Sequence, residues 1–325
     1  MMMQKSDKPK VLVTRRIPEK GLALLRDRVE LDLWDYDEVP IPREELYTRA
    51  PALDGIIALL SDSMDKDFFQ RAPKLKVVSN YAVGYDNIQV AEAAKRHIVV
   101  TNTPDVLTEA TADIAFGLIL GASRRMGEAE RLVRKGAWKS WGPTLLLGHD
   151  VYGTTLGIVG LGRIGKAVAR RARGFSMKIL HTGRTREDDP ETGSRWVPLE
   201  ELLASSDILS LHCPLNESTR HLINRKTLSL MKPSAVLVNT GRGGLVHQED
   251  LYEALAKGVI AAAGLDVFDP EPFPADHPLL SLENVLALPH IGSASIAARE
   301  GMAVLAAENL LAVLEGREPP CRVTP

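Results

Sequence analysis

Leu156-Gly157-Ile158-Val159-Gly160-Leu161-Gly162-Arg163-Ile164-Gly165-Lys166-Ala167-Val168-Ala169 reads as an apolar strand, a glycine turn and the start of a helix. Gly160, Gly162 and Gly165 fit the spacing G-x-G-x-x-G. In that spacing the first glycine makes a tight turn, the second lets the backbone approach a pyrophosphate, and the third lets the helix pack on the strand. The helix start adds unpaired N–H groups and a positive dipole end. Glycine is common, so the triplet alone is weak. Here an apolar stretch at 177–180 follows the helix, as a βαβ unit requires. The stretch predicts a Rossmann-type dinucleotide site, with Leu161, Arg163 and Ile164 in its turn.

Working outward, strands alternate with helices in both directions. Downstream, strands fit 155–159, 177–181, 208–212, 235–239, 262–265 and 285–288, with helices at 163–173, 199–204, 224–231 and 248–257. Upstream, strands fit 10–14, 29–34, 55–60, 75–79 and 97–101, with helices at 18–28, 65–71 and 88–95. Such alternation implies parallel sheets with right-handed crossovers. The expected fold is α/β, with two doubly wound parallel-sheet domains, the first unit ending near residue 102. Residues 108–125 form a helix apolar on most sides, so it belongs between layers. Trp138 and Trp141 stand in a Gly/Pro segment outside the sheet, either as a subunit contact or as local packing. A last helix at 295–315 precedes a tail with Pro319, Pro320 and Pro325.

Composition bounds the rest. A chain of 325 residues suggests two domains, and 45% hydrophobic residues can build their cores. A formal charge of −2 gives no electrostatic case for nucleic acid. Cys213 and Cys321 make no disulfide framework, which favours a reducing compartment. Residues 1–10 are polar and lack a signal peptide's apolar core, and no apolar run is long enough to span a bilayer. The expectation is a soluble cytoplasmic protein with no membrane partner.

In an open parallel sheet, ligands sit outside the carboxyl ends of the strands. After strand 235–239 comes Thr240-Gly241-Arg242, after 262–265 comes Asp266 and then Asp269-Pro270-Glu271-Pro272, and after 285–288 comes Pro289-His290. An arginine, a glutamate and a histidine thus arise at the edge that carries the glycine turn. This set suits hydride transfer to a keto acid. A guanidinium, Arg242, offers a planar fork to a substrate carboxylate. An imidazolium, His290, can protonate the alkoxide that hydride leaves behind. A carboxylate, Glu271, can orient that ring and raise its pKa. His97, His149, His221 and His247 read as structural or surface groups. Glu271 and His277 share no repeated ligand spacing, so no metal site is expected.

These segments resemble the D-isomer-specific 2-hydroxyacid dehydrogenases, in particular their glyoxylate/hydroxypyruvate reductase branch. The resemblance is carried by Val83-Gly84-Tyr85-Asp86-Asn87, Asn102-Thr103-Pro104-Asp105-Val106-Leu107-Thr108, Val159-Gly160-Leu161-Gly162-Arg163-Ile164-Gly165, Asn239-Thr240-Gly241-Arg242-Gly243, Ala262-Ala263-Gly264-Leu265-Asp266-Val267, Asp269-Pro270-Glu271-Pro272 and Leu288-Pro289-His290-Ile291-Gly292-Ser293. It implies the catalytic set Arg242, Glu271 and His290, with substrate also held by backbone groups of Val83 and Gly84. It implies that Thr108, Thr240, Asp266, Gly292 and Pro214 contact the cofactor. It further implies a Rossmann cofactor domain, residues 103–290, inserted in a flavodoxin-like substrate domain, residues 1–102 plus 291–325. The branch implies a homodimer, with an arm near Trp141 reaching towards the partner's site. Glu271 argues against a formate dehydrogenase, whose resembling enzymes carry glutamine there. The alternatives are another D-2-hydroxyacid dehydrogenase, such as a 2-keto acid reductase or a phosphoglycerate dehydrogenase, or a dinucleotide-sensing, corepressor-like binding protein.

The cofactor choice is read after the second Rossmann strand, where NAD-binding units usually place an acid. Here the chain runs His181-Thr182-Gly183-Arg184-Thr185-Arg186. A carboxylate would repel a 2′-phosphate, and an arginine would pair with it. The expectation is a preference for NADPH, with NADH possible, read by Gly183, Arg184, Thr185 and Arg186.

Overall fold

The computed structural model describes residues 8–324, so residues 1–7 of the leader expectation, and Pro325, lie outside the described residues. The chain forms two compact units, one made of the residues up to Leu107 and those from Ala294 onward, the other of Thr108–Ser293.

The first unit opens with β1 (Lys10–Val13), α1 (Glu19–Arg26), β2 (Glu30–Leu33), α2 (Arg43–Arg49), β3 (Gly55–Ala58), α3 (Lys66–Arg71), β4 (Val77–Asn80), α4 (Val90–Ala94) and β5 (Val99–Thr101). The second unit follows with α5 (Thr108–Ser123), α6 (Met126–Arg134), β6 (Thr155–Val159), α7 (Arg163–Arg173), β7 (Lys178–Thr182), β8 (Arg195–Trp196), α8 (Leu199–Ser205), β9 (Ile208–Leu211), α9 (Arg225–Leu228), β10 (Val236–Asn239), α10 (Gln248–Ala256), β11 (Ala262–Leu265) and β12 (Val285–Ala287). The chain then returns to the first unit as α11 (Ile296–Leu314) and β13 (Arg322–Val323).

In the first unit the strand order is β13-β5-β4-β3-β1-β2, the flavodoxin-like order with one added edge strand. Its neighbours pair in parallel except β13, which runs antiparallel to β5. In the second unit the order is β12-β11-β10-β9-β6-β7-β8, parallel throughout, with the Rossmann reversal between β6 and β9. Both units are doubly wound α/β layers. Strands buried on both faces need continuous apolar runs, and Val236-Leu237-Val238 has one.

The helices follow from their patterns. In α7, Ala167, Val168, Ala169 and Ala172 are buried, while its arginines face outward. Arg171 pairs with Glu109 at 2.7 Å and Asp113 at 2.6 Å, which ties α7 to α5. The apolar α5 lies against α7, β10 and β11, the between-layers place its composition demands. In the first unit α11 lies against α1, β3 and β4. Gly21 permits that crossing, because a Cβ there would stand 2.5 Å from the Ala303 carbonyl oxygen.

Four elements go beyond the sequence reading: α2, α6, β8 and β13. The helix expected at 224–231 is shorter, spanning Arg225–Leu228. No helix among the described residues is long and apolar enough to cross a membrane.

Candidate active site

The glycine turn sits at the carboxyl end of β6, and each glycine has its own reason to be there. Gly160 has φ +94, and a Cβ on it would stand 2.6 Å from the Cys213 nitrogen. Only glycine tolerates both the conformation and the approach. A Cβ on Gly165 would stand 2.3 Å from the Gly160 carbonyl oxygen, so this residue sets the closeness of α7 to the turn. Gly162 caps α7 without a side-chain hydrogen bond, and a Cβ there would meet nothing within 4 Å. That open space lies before the unpaired N–H groups of the first helical turn, with Leu161, Arg163 and Ile164 beside it. Further along the edge, Thr240 Oγ1 is buried with no hydrogen-bond partner among the described residues. The cradle and the orphaned hydroxyl fit a dinucleotide with its pyrophosphate at α7.

The loop after β7 carries Gly183, Arg184, Thr185 and Arg186, all exposed. Arg184 has no partner among the described residues. The Arg186 guanidinium lies over the Trp196 ring, 6.0 Å from its centroid. Two of the three acids that follow are engaged elsewhere, and Glu187 is exposed. Asp188 accepts the Trp196 N–H at 2.8 Å, and Asp189 takes Lys166 at 2.8 Å and the Thr192 hydroxyl at 2.7 Å.

At the same sheet edge, His290 Nδ1 and Glu271 Oε2 are 2.7 Å apart. Glu271 Oε1 also accepts the Phe268 N–H at 2.9 Å. Partial burial pushes the Glu271 carboxyl up. Hydrogen bonding to His290, the charge of that ring, the Phe268 N–H and the positive charge of Arg242 together outweigh it, and hold the carboxyl below its ordinary value. Arg242 is thus within electrostatic reach of the pair. Both X–Pro bonds around Glu271 are cis.

His290 adopts φ 54, a left-handed conformation uncommon for a side-chain-bearing residue. Asp266, at the end of β11, holds it there. The Asp266 carbonyl accepts the His290 N–H at 2.9 Å, and its two carboxylate oxygens accept the N–H groups of Ile291 at 2.8 Å and Gly292 at 2.7 Å. Burial raises the Asp266 pKa above its ordinary value, against the lowering effect of those N–H groups.

Other supports lie outside the expected set. Asn239 binds the Arg242 turn at both ends, donating to the Arg242 carbonyl at 2.8 Å and accepting the Gly241 N–H at 3.0 Å. Gln248, from the first turn of α10, grips Asp269 through its N–H at 3.1 Å and its carbonyl at 2.5 Å. A Cβ on Gly243 would stand 1.9 Å from the Phe268 carbonyl carbon, so the Arg242 turn and the Glu271 loop touch backbone to backbone. Asn239 stands within a quoted motif and could have been found there. Gln248 gives no local signal.

Thr108 opens α5, and Thr111 one turn later underlies Gly292, 3.3 Å from where its Cβ would be. Pro214 follows Cys213, whose backbone presses on Gly160. Trp141, in the segment after α6, is 79% exposed. Val83 and Gly84 belong to the first unit and follow β4. Neither of their N–H groups has an acceptor among the described residues.

Residues 116–292 match the family model described as D-isomer specific 2-hydroxyacid dehydrogenase, NAD binding domain. The glyoxylate reductase of Korarchaeum cryptofilum is 55% identical over 316 residues, covering 96% of this chain and 95% of that one. A crystal structure of a Thermus thermophilus protein has a TM-score of 0.91 at 48% identity, covering 97% of this chain and all of its own. The NADPH-dependent glyoxylate/hydroxypyruvate reductase of Sinorhizobium meliloti, solved with NADP and malonate, has a TM-score of 0.86 at 36% identity, covering 98% of this chain and 97% of its own. The fold, the glycine turn and these matches define a dehydrogenase that uses a nicotinamide dinucleotide. The chain belongs to the D-isomer specific 2-hydroxyacid dehydrogenase family.

Proposed function

We propose that this dehydrogenase reduces glyoxylate to glycolate and hydroxypyruvate to D-glycerate, preferring NADPH to NADH. The observation that carries the reading is the His290–Glu271 pair, 2.7 Å apart, on the sheet edge that holds the glycine turn. The relative from Korarchaeum cryptofilum, named for glyoxylate reduction, supports the substrate class.

The second unit is the cofactor domain and the first the substrate domain. Thr108, the turn at 160–165, the loop at 183–186, Pro214, Thr240, Asp266 and Gly292 hold the dinucleotide. When bound, the reduced nicotinamide supplies hydride to the keto carbon. Arg242 takes the substrate carboxylate, because a guanidinium stays charged and offers paired donors. Val83 and Gly84 offer that carboxylate their N–H groups. The substrate oxygen gains negative charge and takes a proton from His290 Nε2, the nitrogen that Glu271 leaves free. Glu271 keeps its charge and holds the ring through Nδ1. The ring then remains oriented by its Nδ1–H.

A preference for NADPH is supported by Arg184, which has no partner among the described residues, and by Asp188 and Asp189 being tied to other groups. A cytoplasmic location is supported by a cysteine count too low for a disulfide framework, and a homodimer by the exposed Trp138, Trp141, Leu147 and Tyr152. The test is cofactor oxidation with a panel of 2-oxo acids, each assayed with NADPH and with NADH. Turnover of glyoxylate and hydroxypyruvate, with kcat/KM higher for NADPH, is the expected result. No turnover of either acid overturns the reading.

A further inference from the structure

In a trans peptide the carbonyl and the following N–H point in opposite directions. Whatever grips a carbonyl therefore also aims the next residue's N–H. In the first unit, the Ala82 carbonyl accepts the Thr103 N–H at 2.9 Å, and the Val83 carbonyl accepts Asn102 Nδ2 at 2.8 Å. These two peptides carry the N–H groups of Val83 and Gly84. The stretch leaving β5 thus holds both peptides from behind, one through backbone and one through a side chain. Asn102 is itself anchored. Its carbonyl accepts Asn309 Nδ2 at 3.0 Å, and its N–H reaches the Cys321 carbonyl at 3.3 Å. Asn309 is fully buried in α11, so the grip is built into the core rather than into a mobile surface group.

We propose that Asn102 is a positioning residue for the substrate: by holding the Val83 carbonyl it aims the Gly84 N–H, and so sets the affinity for the carboxylate of a 2-oxo acid. This rests on the reading that the Val83 and Gly84 N–H groups take that carboxylate. The amide is required because only a donor can hold a carbonyl. A carboxylate of the same shape would repel it.

The test compares wild type with Asn102→Asp and Asn102→Ala. It measures KM for glyoxylate, inhibition by oxamate as a non-reacting carboxylate, the dissociation constant for NADPH and the melting temperature. Both variants should raise KM and weaken oxamate by about tenfold, the scale of one lost hydrogen bond. The NADPH dissociation constant and the pH profile of kcat should stay at the wild-type values. A folded variant with wild-type KM and oxamate affinity overturns the proposal. So does failure of both variants to fold, which would assign Asn102 to stability alone. Absence of 2-oxo acid turnover in the wild type is a separate failure, that of the functional reading itself.

Discussion

His290 holds a backbone conformation that costs of order 1–3 kcal/mol for a residue with a side chain. Asp266 stabilises it with three hydrogen bonds from successive N–H groups. The ring is thereby fixed before substrate arrives, and Glu271 fixes its tautomer. A His290→Gln variant should lose about 10²–10⁴-fold in kcat, the usual worth of a general acid, with little change in NADPH affinity. Near-wild-type turnover in single-turnover assays would place the proton donor elsewhere. Glu271 makes a second, pH-dependent prediction. Its folded pKa lies below its ordinary value, so the unfolded chain binds the proton more readily. The stability it contributes is therefore present above the ordinary carboxylate range and lost as pH falls through the depressed value. Melting temperatures across that acid window should fall less steeply in Glu271→Gln than in wild type. Parallel slopes would show that the pair contributes nothing to the acid limb.

The proposed choice of NADPH rests on the loop after β7. Asp188 and Asp189 are drawn back by Trp196, Lys166 and Thr192, and Arg184 has no partner among the described residues. Arg184→Ala should raise KM for NADPH at least tenfold and KM for NADH much less, the loss expected for a charge-assisted contact to phosphate. Equal changes for both cofactors would remove Arg184 as the reader. At this scale the sequence was largely legible. The span expected for α7 matches the observed Arg163–Arg173, since its buried alanines and valine repeat with helical period. The helix α6 was not, because none of its residues is buried and no core face marks it. The short β13 lies among prolines and leaves no mark in the sequence, as a two-residue strand has no periodicity to read. Gln248 and Asn309 carry no local signal for a related reason. Each is a neutral polar residue whose meaning lies in a partner far along the chain.

For the whole molecule, the exposed apolar side chains beyond α6 are the feature that a single chain leaves unexplained. Trp138, Trp141, Leu145, Leu147 and Tyr152 all lie in one segment of the second unit. Sedimentation equilibrium should give twice the mass of the chain, and Leu147→Glu should shift the protein towards monomer. A monomeric wild type at micromolar concentration would leave that segment to some other partner. The alternation of strands and helices gave away both sheets, but the order of strands within each depends on crossovers that no local pattern reports.

The return of α11 and β13 to the first unit has a consequence for how the protein is made. A ribosome releases β1–β5 before the second unit, yet the helix that covers β3 and β4 emerges only after the whole of it. The inserted unit can therefore complete itself during translation, while β3 and β4 wait with apolar surface uncovered. β1–β5 are thus made well before the helix that buries them, and it is this waiting sheet that a chaperone would meet.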